Sequence, residues 1–410
     1  MTRLVFILTM TLLFALPSCA KDKQPDDAFN RKALMKEVKA SLKSKNYSQA
    51  DNQINKAKSA HPEASKDAEI ANIHMNVVHH LAEAENRKIF LKNNPDTAAF
   101  LNQIYRVYQL GLQCDSLDTL PDIKGRIRPR YTVNIKERLL FYRKNMRSAG
   151  VYFYKKQKYQ DALRFIEMYL GTKDSRLIAE ADTAPMRSIY SLAVFSAYGA
   201  ENYPAVKKYL PLCEGDTLHA SLRHQIASKT FMATGDTIAA LNYLRSGWEV
   251  DPMKDYFYLT LIHYYIDHEE YEEALAVIES QLEREPENAQ LWYIKGKCLQ
   301  CQQQWDKAIS AYEQALQYNP DDAQALSSMG EIYVTQAHDA YRNNKAKVGT
   351  KQYRQSRQIQ TNLYTKAMEV LEKARALKPD ETKLWFTNLS EAYYKLNKGK
   401  ELKELEKLMP

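Results

Sequence analysis

Histidines, cysteines and clustered acids are the side chains of this chain that could do chemistry, so their spacing is read first. There are nine histidines, and three pairs of them, His74/His79, His219/His224 and His263/His268, stand five residues apart. On a helix turning about 100° per residue, partners at that spacing lie roughly 140° apart on different faces, so no pair predicts a shared metal ion. The His-Glu-x-x-His pattern of zinc proteases is absent. Cys298 and Cys301 have the Cys-x-x-Cys spacing of a redox motif. They fall towards the end of a predicted helix with no strand before it, and a zinc site would need a second ligand pair that the sequence does not offer. They read as structural thiols, as do Cys114 and Cys213. The acidic run "DHEEYEE", residues 267–273, sits where one predicted helix turns into the next and reads as a solvated turn. Neither a glycine-rich phosphate loop nor Gly-x-Ser-x-Gly occurs. No catalytic residue, metal or cofactor is expected, and the elements that would position a binding surface come into question.

The chain has 410 residues, enough to bury one large core or several smaller ones. Apolar residues make up 45%, tyrosine numbers 28 and glycine only 12, a globular composition leaning towards helix. So little glycine predicts few loops that demand positive φ. The formal charge of +8, from 58 basic and 50 acidic residues, is spread along the chain. That predicts a solvated surface and no nucleic-acid partner.

The first residues differ from the rest. "MTRLVFILTMTLLFALPSCA" has one arginine near its start and an apolar run from Leu4 to Leu16, shorter than the ~20 residues needed to span a bilayer. It suits the central region of a secretory signal. The run ends in Leu16-Pro17-Ser18-Cys19 and resembles the lipobox of bacterial lipoproteins, although proline at −2, two residues before the cysteine, departs from the usual pattern. The resemblance implies removal of residues 1–18 and a lipid on Cys19. Residues 19–29, polar and proline-containing, read as a flexible tether. Ala20 lacks the aspartate that retains many lipoproteins in the inner membrane, so the outer membrane is favoured, on its periplasmic or its surface face. The lysine and aspartates that follow are similar to surface-export tethers of Bacteroidota lipoproteins.

Beyond the tether the chain repeats itself. In "WDKAISAYEQALQYNP", residues 305–320, Trp305, Ala308, Tyr312 and Ala315 share one helical face and Pro320 closes the stretch. Pro252, Pro286 and Pro320 recur at intervals of 34, and so do Ala240, Ala274 and Ala308. Trp292, Gly296 and Leu299 mark a preceding helix. Small residues such as Gly296 and Ala308 let two helices approach closely, and Trp292 and Tyr312 fill the space to the next pair. The proline ends the second helix and turns the chain. One such pair cannot bury its apolar face alone, so the pattern predicts a stack.

These residues resemble the tetratricopeptide repeat (TPR), with Lys295 standing where that family has a leucine. The resemblance implies an all-α fold, a right-handed TPR superhelix (α-solenoid) of about seven or eight helix pairs, one pair elongated. Looser copies are read in "SAGVYFYKKQKYQDALRFIEMYL", in "IYSLAVFSAYGAENYPAVKKYL" and, near the start, in "LKSKNYSQADNQINKAKSAHP". Residues 30–124 are expected to form N-terminal TPR-like helices, 135–252 the middle repeats and 253–410 the C-terminal repeats, with "GRIRPRYTVN" (125–134) as an internal boundary. Between Tyr333 and Ala367 about 25 residues are added to the repeat, which predicts an elongated helical hairpin over 335–366 with a break near Val348-Gly349.

Two surfaces are candidates for binding. The groove-lining positions of TPR first helices carry over onto Tyr256, Leu259, His263, Ile266 and Asp267, then Gln290, Tyr293, Lys297, Gln300 and Cys301. Their tyrosine, aliphatic and amide groups suit an extended peptide or a partner helix. They do not reproduce the set by which chaperone-associated TPR domains grip a carboxylate. The hairpin is the other surface: Arg342, Lys345, Lys347, Lys351, Arg354, Arg357 and Lys366 against Asp339 alone leave it at +6, fit for an acidic partner or anionic headgroups. The expectation is a non-catalytic, membrane-tethered scaffold or adaptor for a protein or peptide partner in the cell envelope. The alternatives are an outer-membrane protein assembly factor and a glycan-binding lipoprotein of a nutrient-uptake system.

Overall fold

Helix starts in this chain are written in asparagine and aspartate. The side-chain oxygens of Asn30, Asn46, Asp96, Asp236 and Asn288 each accept a hydrogen bond from the backbone N–H three residues on, at 2.8–3.2 Å. Each satisfies one donor that the first helical turn leaves without a partner. The computed structural model describes residues 29–178 and 185–407, so the signal, Cys19 and most of the tether lie outside the described residues. Among the described residues there are nineteen α-helices and no strand, a TPR-like solenoid.

The chain divides into two compact units between Ala200 and Glu201. In the first, α1 (Arg31–Lys43) pairs with α2 (Tyr47–Ala60), and α3 (Ala68–Phe90) with α4 (Thr97–Asp118). Next come α5 (Thr132–Phe141), α6 (Arg143–Lys155) paired with α7 (Tyr159–Gly171), and α8 (Met186–Gly199). In the second, α9 (Tyr203–Tyr209) precedes α10 (Ala220–Ala233) with α11 (Thr237–Val250), and α12 (Asp255–Asp267) with α13 (Tyr271–Leu282). These are followed by α14 (Ala289–Cys301) with α15 (Trp305–Tyr318), α16 (Ala323–Arg342) with α17 (Lys351–Leu377), and α18 (Phe386–Lys395) with α19 (Gly399–Glu406). The looser copy around 190–210 thus splits, α8 closing one unit and α9 opening the other.

The segment 125–134 runs inside the first unit as part of the loop before α5 and the start of that helix. Asp118 Oδ2 pins it by accepting the backbone N–H groups of Arg130 at 2.6 Å and Tyr131 at 2.7 Å. Helix α5 has no partner in sequence and lays Ile135 and Leu139 on α3 and α4, where the Tyr108 hydroxyl donates to the Leu139 carbonyl at 2.7 Å.

The small residues of the repeat are contact points. A Cβ added at Gly296 would stand 2.5 Å from the Tyr312 ring, and one at Gly330 2.5 Å from Leu371. Buried Ala308, Ala311, Tyr312, Ala315, Leu371 and Trp385 run the core through α15, α17 and the start of α18. The turns correct one expectation. Positive φ is common, and it is carried by Lys45, Gln157, Glu269, Gln303 and Asn397 as well as by Gly235, each two residues before a second helix.

Candidate functional site

The groove positions are first-helix positions, and the structure sorts them by exposure. On α12, His263 and Asp267 are exposed, whereas Tyr256, Leu259 and Ile266 are half-buried against the core of the second unit. On α14, Gln290 and Cys301 are exposed and Tyr293, Lys297 and Gln300 are half-buried. Two of these residues already serve the stack. Tyr256 shares a hydrogen bond with Ser228 of α10 at 3.0 Å, and Lys229 stands over its ring at 5.1 Å. Gln300 accepts from the Tyr312 hydroxyl at 2.7 Å and donates to Glu331 of α16 at 2.9 Å. Gln300 therefore ties three helices together, a role its position in the repeat did not reveal. Burial raises the phenol pKa of Tyr293 above its ordinary value.

The elongated pair is present as expected, its arms α16 and α17 joined by 343–350 with Gly349 at φ 86°. Arg342, Lys345, Lys347, Lys351, Arg354 and Arg357 are all exposed. Ala337 and Tyr364 mark the end of the apolar core, and beyond them the arms are held by polar bonds such as Ser356 Oγ to the Ala340 carbonyl at 3.2 Å. Tyr341, Val348 and Ile359 are exposed on the same extension.

Lys295, in the family's leucine seat, has a consequence on the other side of the first helix. It bridges to Glu279 at 2.9 Å and stands 5.2 Å over the Trp292 ring. It forms part of the wall of a cleft of about 580 Å³ between α13 and α15, lined also by Leu299, Gln304, Lys307 and Ser310.

No histidine pair read from the sequence is brought together. On α3, His74 turns to α2, where its Nε2 meets Asp51 at 2.7 Å and its Nδ1 receives a bond from Lys58 at 3.0 Å. Arg106 of α4 donates to the same aspartate at 2.7 Å. Burial works to raise the Asp51 pKa, but the hydrogen bonds from His74 and Arg106 outweigh it and hold the group at about 2. His79 turns the other way, towards Tyr142 at the α5–α6 corner, with 2.9 Å between Nδ1 and the hydroxyl. His224 bonds the Ala220 carbonyl, and His268 stacks on Tyr264 with ring centroids 4.1 Å apart. What pair spacing missed is an adjacency: His80 Nδ1 lies 2.9 Å from Glu83 and His79 Nε2 3.4 Å from the same carboxylate. The signal was His-His-x-x-Glu, which sets the glutamate three and four residues after the two rings. Cys298 is buried, and burial pushes its thiol up to about 12, while Cys301 is exposed. Both are free thiols, as is the buried Cys114, and the buried Cys213 donates its Sγ hydrogen to the Tyr209 carbonyl at 3.3 Å.

Residues 231–298 match the family model described as tetratricopeptide repeat, and residues 301–336 the model described as TPR repeat. TPR repeats generally mediate protein–protein interactions. Among solved structures, the C-terminal part of a TPR repeat-containing protein from Cytophaga hutchinsonii is 16% identical, covering 64% of this chain and 96% of its own, with a TM-score of 0.42. A crystal structure of MamA protein is 18% identical, covering 46% of this chain and 89% of that one, with a TM-score of 0.36. No curated protein matches the chain. Among the described residues no helix is long and apolar enough to cross a membrane.

Proposed function

We propose that this chain is a non-catalytic scaffold, tethered to an envelope membrane by a lipid on Cys19, that holds a protein or peptide partner along the first helices of its second unit. The observation that carries this reading is the face of α12 and α14. His263, Asp267 and Gln290 are exposed there, and Tyr256, Leu259, Ile266 and Tyr293 half-exposed, within the TPR-matched stretch. Half-buried aromatics held by their own helices lose little freedom on binding, and the polar groups around them fix a partner's register. The lipobox-like Leu16-Pro17-Ser18-Cys19 supports the tether, and Ala20 supports the outer membrane. The basic hairpin supplies a second contact, steering an acidic partner to the scaffold.

Photo-cross-linking residues at His263 and Gln290 should form adducts with a partner in cells. The same groups at exposed Gln317 and Tyr318 of α15 should form none. Adducts from both sets alike, or from neither, would refute the reading.

The glycan-binding alternative has an observation of its own: the Trp292 ring shares its cleft with the amides of Gln302 and Gln304, the Ser310 hydroxyl and the Lys295 ammonium, an aromatic surface among hydrogen-bonding groups. A glycan array decides it.

A further inference from the structure

Three ligand-type side chains converge on one flank of α3. His79 is buried, His80 half-buried and Glu83 exposed, and one ligand atom from each lies within 4.8 Å of the others. The two nitrogen-to-carboxylate distances are 3.4 and 2.9 Å. Donors held at about 2.0–2.2 Å from one ion stand about 3.0–3.5 Å apart for angles between octahedral and tetrahedral. Each histidine nitrogen thus stands from a Glu83 oxygen, Oε1 for His79 and Oε2 for His80, at about the separation of two ligands on one ion, and the third edge closes within 4.8 Å.

Its surroundings favour an ion as well. The Tyr142 hydroxyl, 2.9 Å from His79 Nδ1, can accept the Nδ1 proton and leave the Nε2 lone pair pointing at Glu83. That is the supporting contact by which metal-binding histidines are oriented. Tyr47 of α2 stacks on the His80 ring at 4.5 Å and fixes its plane. One cation, Arg138, opposes this: its charge reaches His79, while its Nε donates to Asn76 at 3.3 Å. On its far side Glu83 borders, with Arg87, Phe141 and Tyr142, an open cleft of about 740 Å³, so solvent reaches the carboxylate.

The other polar clusters lack these properties. The Asp51–His74 pair is closed off by the cations Lys58 and Arg106. Among the described residues no third ligand joins Cys298 and Cys301. Two imidazoles and one carboxylate without thiolate suit borderline ions such as zinc, nickel or cobalt, and not calcium or magnesium.

We propose that His79, His80 and Glu83 bind one divalent transition-metal ion of zinc's class, which clasps α3 to α2 through the stacked His80 and to the α5–α6 corner through Tyr142.

Zinc added to the purified intact protein tests this by equilibrium dialysis with metal analysis, and by thermal unfolding. One equivalent should be retained and the melting temperature should rise with zinc concentration. H80A at a half-buried position and E83Q at an exposed one should each weaken binding at least ~10-fold while leaving the circular dichroism spectrum unchanged, and Y142F should weaken it ~10–100-fold as the loss of a supporting contact. Cobalt in place of zinc should give d–d bands without a thiolate charge-transfer band, which separates this site from Cys301. A folded protein that retains no zinc, affinity unchanged in the H80A/E83Q double variant, or a thiolate band that disappears in C301S would each overturn the proposal.

Discussion

At the scale of single residues, the stack depends on a few places where a hydrogen atom stands in for a side chain. Tyr312 is fully buried and its hydroxyl is bonded to Gln300 at 2.7 Å, so its ring cannot swing away from a Cβ placed 2.5 Å from it. Gly296→Ala should therefore destabilise the protein by roughly 1–3 kcal/mol, the usual range for overpacking a well-filled core. Gly171, where an added Cβ meets nothing within 4 Å, is the control whose alanine variant should leave the urea midpoint nearly unmoved or raise it. A second prediction concerns the Asp51 network of the first unit. An unfolded aspartate takes up its proton near pH 3.8, while the folded Asp51 holds off until about 2. The unfolded state binds more protons between those values, so the stability that Asp51 contributes is present above pH 4 and is lost as pH falls towards 2. Thermal melts at successive pH values should show that loss in the native protein, and Asp51→Asn should flatten this part of the curve.

Among elements, the inter-helix turns show why composition misled. Six of the pairs use a three-residue turn whose middle residue has positive φ, and only one of those six is glycine. A left-handed residue other than glycine costs roughly 1–2 kcal/mol, against ~0.5–1 kcal/mol of extra chain entropy lost when glycine is ordered. Exposed Gln303, at φ 57°, keeps its backbone bond to the Gln300 carbonyl whatever its side chain. Gln303→Gly should thus stabilise the protein by about 0.5–1 kcal/mol in denaturant unfolding. A midpoint that falls would show that the glutamine side chain contributes to the turn. The elongated hairpin, by contrast, was legible. Polar helix-compatible sequence around a single glycine break leaves few other ways to insert some 25 residues between Tyr333 and Ala367 without disturbing the pattern on either side.

For the molecule as a whole, the proposed role depends on where the solenoid is held. The chain carries a formal +8, most of it on the hairpin of α16 and α17, and no described helix is long and apolar enough to cross a bilayer. Membrane retention in the proposed scaffold therefore falls to the Cys19 lipid and a tether too polar to insert. Cys19→Ser should move the protein from the membrane pellet to the soluble fraction and abolish incorporation of labelled palmitate. A variant that stays in the pellet would end the tethering proposal and leave the partner-binding face to stand alone.

The solenoid was readable from the sequence because its determinants are local. Spacings of three and four set helix faces, proline and asparagine mark helix ends, and an interval of 34 states that the unit recurs. Which polar side chains meet could not be read that way. His79 finds Tyr142 and Asp51 finds Arg106 at separations of 63 and 55 residues. Gln300, which reads as a groove residue, is held between α15 and α16, and the division between the units falls after Ala200 and not in 125–134. Periodicity encodes the direction in which a side chain leaves its own helix. The identity of the group that receives it depends on how distant helices pack, and that is decided only when the core closes.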